Sequence, residues 1–193
     1  MAYVSRPRGF QLRSAREDVR IMAYATETTD AAPLGLGDPV KASTNGVVVI
    51  DGDYLQVVTR AAAGDRLKGI VVGVDPYRGR AEADINLSLK HRPASKACVV
   101  YVCDDVEAIY EVQLSAAGVA AEVGNNMNQI TAVDCDLVTG ISKAQLDEAT
   151  ATTSSAQFRY IGIVNRPDNL DLTTNVSVLV RINDHEDKTT SGV

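Results

Sequence analysis

The stretch Arg92–Gln113, RPASKACVVYVCDDVEAIYEVQ, decides how the rest of the chain reads. From Cys98 to Cys103 it is an unbroken run of Cys, Val and Tyr. Cys98, Val100 and Val102 fall on one side of an extended strand and Val99, Tyr101 and Cys103 on the other, so neither face is wet. That pattern predicts a central, buried strand. Asp104-Asp105 then supply a polar break at which the chain can reverse, and Ile109 to Gln113 resume in extended form with Glu111 between Tyr110 and Val112. The expectation is a core hairpin. None of its side chains looks reactive, so the best-defined part of the sequence is built for packing.

Strand signals continue on both sides. Val47–Ile50 and Tyr54–Thr59 flank Asp51-Gly52-Asp53, and an Asp-Gly step between two β-branched runs predicts a hairpin. An EF-type calcium loop needs further oxygen ligands out to a Glu, and Tyr54 and Leu55 interrupt that spacing, so turn chemistry accounts for the two aspartates. Ile70 to Val74 reads as a short buried strand, with Gly69 and Gly73 marking a bulge or a close backbone approach. Phe158 to Val164 and Val176 to Ile182 read as two closing strands. In the second, Val176, Val178, Val180 and Ile182 share a buried face while Ser177 and Arg181 mark a wet one.

The remaining segments are less patterned. Ala116 to Asn128 reads as mostly loop, Ile130 to Val133 as a strand, Ser142 to Glu148 as a single helical turn capped by Ser142, and Thr150 to Ser155 as a flexible tract. Tyr77 to Lys90 is a polar excursion carrying Arg78-Gly79-Arg80, and Asp184 to Val193 a polar tail. With about eight strands, turn signals every 8 to 15 residues and hardly any helix, the fold class is all-β, an antiparallel β-sandwich or β-barrel with an extended N-terminal arm and long loops. The expected organisation is residues 1–36 as arm and loop, 37–186 as the β-rich core and 187–193 as the tail.

Composition bounds the function. The chain has 193 residues, 45% apolar and 23% charged, enough for a sizeable core in a globular protein. A net charge of -6 argues against non-specific nucleic-acid binding, which depends on clustered Lys and Arg. No apolar run approaches a membrane span, and MAYVSRPRGF lacks the apolar region of a secretory signal. Cys98, Cys103 and Cys135 are an odd set without CxxC spacing, which predicts free buried thiols.

Motifs for chemistry are missing. Gly35 and Gly37 lack the GK[ST] or GxGxxG that would complete a phosphate loop, and no GxSxG elbow occurs. The two histidines, His91 and His185, have no ligand partners at metal spacing, and the expectation for both is structural or solvated. Asp134-Cys135-Asp136 sets a thiol between carboxylates, which raises its pKa and weakens it as a nucleophile. The reading is therefore no enzyme, no cofactor and no metal.

One asymmetry points to a partner. Residues 1–20 hold Arg6, Arg8, Arg13, Arg16 and Arg20 against Glu17 and Asp18 only. Arg6-Pro7-Arg8-Gly9 cannot sit inside a helix or a central strand, so the segment reads as an extended basic arm that a partner orders, or else as a disordered terminus.

The succession GDPVKA at Gly37–Ala42, AAAGDRLKGIVVGV at Ala61–Val74, RPASKACVVYVCDDVEAIYEVQ, VGNNMN, TGISKAQLD, and IGIVNRPDN with VSVLVRINDHE resembles a family of tailed-phage virion proteins. These are encoded near the major capsid protein and regarded as head decoration or cement proteins. The likeness runs from about Gly37 to Glu186 and rests on the order of short segments. It implies a β-rich protein that binds the outside of the capsid, bridges major capsid subunits, and self-associates, often as a trimer. Its expected place is the virion capsid surface, after synthesis in the bacterial host cytoplasm, with no nucleic-acid or membrane partner. Joined to the residue-level reading, this gives Arg6, Arg8, Arg13, Arg16, Arg78 and Arg80 as candidate capsid-binding residues. A phage neck or tail component, or a small-ligand β-barrel module, are the alternatives.

Overall fold

The computed structural model describes residues 5–13, 19–78, 88–130, 133–169, 172 and 174–188. Its strands are β1 (Gln11–Leu12), β2 (Ile21–Ala25), β3 (Pro39–Ile50), β4 (Asp53–Arg60), β5 (Gly69–Asp75), β6 (Val99–Cys103), β7 (Ile109–Gln113), β8 (Asn126–Gln129), β9 (Leu146–Thr152), β10 (Phe158–Ile163) and β11 (Ser177–Ile182). The chain is all-β. Strands β2-β4-β3-β5-β6 close a barrel, and β1-β7-β11-β10-β8-β9 form a six-stranded sheet.

Local chemistry explains the barrel. Asp51 (φ 51°) and Gly52 (φ 89°) both hold positive φ between the Ile50↔Asp53 pair, the two-residue turn that matches strand twist in a hairpin. In β5 the register slips between Val71 and Gly73, the bulge that lets a short strand curve. A Cβ on Gly69 would lie 2.3 Å from the Cys103 carbonyl oxygen, so glycine is what allows β5 to approach β6. Tyr24, Val40, Val58, Val71, Val100 and Val102, from all five strands, fill the interior.

Barrel and sheet share a second core. Leu67, Ile70 and Cys103 from the barrel side pack with Tyr110, Phe158, Tyr160 and Val180 of the sheet. Along β11, Val178, Val180 and Ile182 are buried while Ser177, Leu179 and Arg181 are half-buried, the alternation read from the sequence. All three cysteines are buried and none is in a disulfide.

The expected core hairpin at Cys98–Gln113 does not form. β6 pairs with β2 and β5, so both its edges are occupied, and β7 pairs instead with β1 and β11 in the other sheet. Residues 104–108 are the crossover between the two sheets. Buried Asp104 fixes it, bonded to the Arg20 Nε at 2.7 Å and accepting from the Tyr24 hydroxyl at 2.6 Å.

Other segments also differ from expectation. Ser142–Glu148 is not a helical turn: Ser142, Ala144 and Leu146 are buried alternately with more exposed neighbours, the period of a strand, and Leu146 opens β9. The Thr150–Ser155 tract supplies the end of that strand through Thr152. Just before the strand expected at Ile130–Val133, β8 runs over Asn126–Gln129, where Met127 and Gln129 are the buried side chains and Gln129 Nε2 donates to the Ala61 carbonyl at 2.6 Å. Residues 131–132 lie outside the described set.

The polar tail is docked as far as Lys188. His185 is fully buried, the Leu67 N–H donates to the Asp184 carbonyl and the Leu67 carbonyl accepts from the Glu186 N–H on either side of it, and Asp187 pairs with Arg20 at 2.7 Å and Lys68 at 2.8 Å. Residues 189–193 are outside the described set.

The segment read as arm and loop contributes β1 and β2, and Phe10 is buried in stacked contact with Phe158 (centroids 4.2 Å apart, interplanar angle 13°). Gly9 makes this possible. Its φ is +66°, and a Cβ there would stand 2.5 Å from Ser142 Cβ. Gly9→Ala combines left-handed backbone strain with overpacking, and is expected to cost about 2–4 kcal/mol, read as a fall in denaturant midpoint at unchanged slope.

Candidate binding cleft

The N-terminal segment does more than fill the core. Pro7 fixes its own φ and holds Arg6 extended, and the left-handed turn at Gly9 sends Phe10 inward while Arg8 stays exposed. Beyond it, β1 adds to the edge of the sheet through Gln11↔Glu111 and Leu12↔Tyr110. Between this segment, β7 and the loop joining β10 to β11 lies a cleft of about 510 Å³, bordered by Arg6, Arg8, Gln11, Arg13, Glu111 and Arg166 among others. Its size falls within the roughly 300–1,000 Å³ of ligand pockets.

The far wall is hydrogen-bonded to the sheet through Asn169 and Gln113. Asn169 is buried; its Nδ2 donates to the carbonyls of Val164 (2.7 Å) and Ser177 (2.8 Å), and its Oδ1 accepts from the Ser177 N–H at 2.7 Å. Gln113 Nε2 donates to the Asn175 carbonyl at 2.9 Å. On the floor, Glu111 projects from the sheet face opposite the core and is gripped on both sides. Arg13 reaches one oxygen at 2.8 Å and Arg166 the other at 2.7 Å, while Arg166 also lies 3.3 Å from exposed Asp168.

Those four charges cancel. What remains is Arg6 and Arg8, both exposed, and among the described residues neither has an ion-pair or hydrogen-bond partner. The cleft is thus locally basic on a protein of net charge -6.

Beneath the segment sits a polar knot. Asp38 is buried; one oxygen accepts from the Gly35 N–H at 2.7 Å and the other from the Ser142 hydroxyl, which in turn accepts from the Ala144 N–H at 3.0 Å. Burial pushes the Asp38 carboxyl up to about 6, partly offset by those hydrogen bonds. A raised carboxyl stabilises the fold fully below its unfolded value of 3.8 and loses that contribution as pH rises through about 6. Wild-type stability relative to Asp38→Asn is therefore expected to fall by on the order of 2–3 kcal/mol between pH 4 and 7.5 and to level off above. Parallel denaturant titrations across that range measure it.

Cys135, His91 and His185 are buried. Burial, with Asp38 and Asp134 nearby, pushes the Cys135 thiol up to about 12, and burial lowers His185 and His91. No group of His, Cys, Asp and Glu among the described residues is arranged to hold a metal, and no helix is long and apolar enough to cross a membrane.

Of the six arginines expected to bind a partner, Arg6, Arg8 and Arg13 meet at this cleft. Arg78 is elsewhere, at the β3–β4 turn, paired with Asp53 and 3.5 Å from Asp51. Arg16 and Arg80 lie outside the described residues, as does most of the Tyr77–Lys90 excursion. Sequence reading missed Arg166 and Glu111. Nothing local marked either: the Arg166-Pro167 step also occurs at Arg92-Pro93, where the arginine is buried. A second exposed surface is the β3–β4 hairpin, where Val47 (58%), Val49 (53%) and Tyr54 (80%) face solvent.

Comparison of the sequence with protein-family models and with curated proteins returns no match.

Proposed function

We propose that this chain is a non-enzymatic structural protein of a tailed-phage virion that binds the outside of the capsid and stabilises it by bridging major capsid subunits. The observation that supports this best is the pair of unpartnered arginines, Arg6 and Arg8, held at a built cleft on an otherwise acidic protein. Charged groups left free on a docked strand-like segment are suited to a protein partner with complementary charge, where they set specificity and on-rate. The segment-order resemblance supplies the identity of that partner, the major capsid protein.

Self-association, as a trimer, belongs to the same proposal. The exposed Val47, Val49 and Tyr54 on one hairpin form the kind of apolar surface that soluble proteins cover with a neighbour. The alternative of a small-ligand β-barrel is disfavoured by the barrel interior, which six side chains from all five strands occupy; the cleft described above lies outside it.

Labelling the protein on intact virions tests the reading. Decoration predicts label distributed over the head; label confined to the neck or tail would replace it with the neck or tail alternative.

A further inference from the structure

We infer that the cleft between the N-terminal segment and the sheet is a docking site for an extended acidic segment of a partner protein, its carboxylates held by Arg6 and Arg8. The inference deepens the capsid reading and rests on it for the partner's identity; the cleft's own chemistry comes from the residues that line it.

Three features fix the ligand class. First, the surplus charge is positive and carried by guanidinium groups, whose planar donor forks match carboxylates in pairs. Arg13 and Arg166 already hold a carboxylate within the chain, one on each oxygen of Glu111. Arg6 and Arg8 have no such acceptor. Second, the two arginines are two positions apart on a segment that Pro7 keeps extended, so their spacing is about 6–7 Å along the chain. An extended partner carries alternate side chains at the same interval, which lets successive acidic residues on one of its faces meet both. Third, the unpaired polar side chain of Gln11 borders the same space, and an amide that donates and accepts suits a peptide backbone.

The same features weigh against nucleic acid. Two surplus charges in a short cleft do not make the basic stripe that a phosphate backbone follows, and the net charge of -6 outside it repels a long polyanion. A short acidic peptide places its charge only where the arginines are.

The test uses the full chain and a blocked, fluorescently labelled octapeptide alternating Asp and Thr, titrated by anisotropy at low and moderate salt. Controls are the same peptide with Asn for Asp and a single-stranded oligonucleotide of equal charge. Arg6 and Arg8 are exposed and unpartnered, so the Arg6→Glu/Arg8→Glu double variant is expected to keep the wild-type melting temperature. The expected result is saturable binding of the acidic peptide, at least tenfold weaker binding of the Asn peptide and of the oligonucleotide, and at least tenfold loss in the double variant. No binding of the acidic peptide, equal binding of the Asn peptide, tighter binding of the oligonucleotide, or binding unchanged in the double variant would each overturn the inference. The two readings separate cleanly. Peptide binding without capsid occupancy removes the capsid reading and keeps the cleft; occupancy that needs Arg6 and Arg8 without peptide binding does the reverse.

Discussion

Replacing Arg92 with alanine is expected to destabilise the fold by about 3–5 kcal/mol, as breaking a buried, hydrogen-bonded charge does. Arg92 is fully buried, and its guanidinium is spent on backbone. Nε donates to the Lys96 carbonyl at 2.9 Å, Nη1 to Ala32 and Nη2 to Glu27, with Asp30 3.5 Å away. One side chain therefore ties the loop between β2 and β3 to the segment entering β6. Alanine leaves three carbonyls without that donor and a nearly buried carboxylate without its cation, each a cost of its own. Lysine restores the charge but not the fork, so Arg92→Lys is expected to recover less than half of the loss. Denaturant midpoints measure the energy. Hydrogen exchange locates it, with the amides of Leu34 and Ser95, which bond to Arg92 and Asp30 carbonyls, opening first.

Phe10→Ala is the second large effect, about 3–5 kcal/mol for emptying an aromatic site in a packed core. The ring is 1% exposed and stacked on Phe158. β1 is only two residues long, so its hold on the sheet depends on this anchor; losing it frees Arg13 from Glu111 and opens the cleft. The consequence reaches experimental design. Deleting residues 1–20, the natural test of a basic arm, also removes Phe10, β1 and the Arg20 that pairs with Asp104 and Asp187. Lost capsid occupancy in that deletion would report a damaged core. Charge reversal at Arg6 and Arg8 leaves the anchor intact.

Much of the fold was legible in the sequence because its signals are local. The Asp51-Gly52 turn, the glycines at 69 and 73 and the alternation along β11 each state their geometry within a few residues. What failed was non-local. Whether β6 turns back on β7 depends on who occupies its edges, and β2, some 75 residues earlier in sequence, gives no sign of that claim at Cys98–Gln113. β8 failed for a different reason: its Asn and Gln residues pair with distant backbone and side-chain groups, a satisfaction that polarity alone disguises as loop. Ser142 looked like a cap because Ser favours caps, yet its hydroxyl serves Asp38, 104 residues away.

The site was half legible. Charge asymmetry singled out Arg6, Arg8 and Arg13, and the arm reading gave them a partner-facing role. The sequence offered no view of the docked Phe10, which turns a free arm into one wall of a cleft, or of Glu111, which neutralises Arg13 and Arg166 and so leaves Arg6 and Arg8 as the groups with charge to spare.

The most direct test of the account is occupancy on capsids that lack this chain, titrated with wild type and with the Arg6→Glu/Arg8→Glu variant after equal melting temperatures have been confirmed. The account predicts at least a tenfold weaker apparent affinity for the variant, and a wild-type affinity that falls as salt rises. Equal occupancy by the two proteins would contradict it.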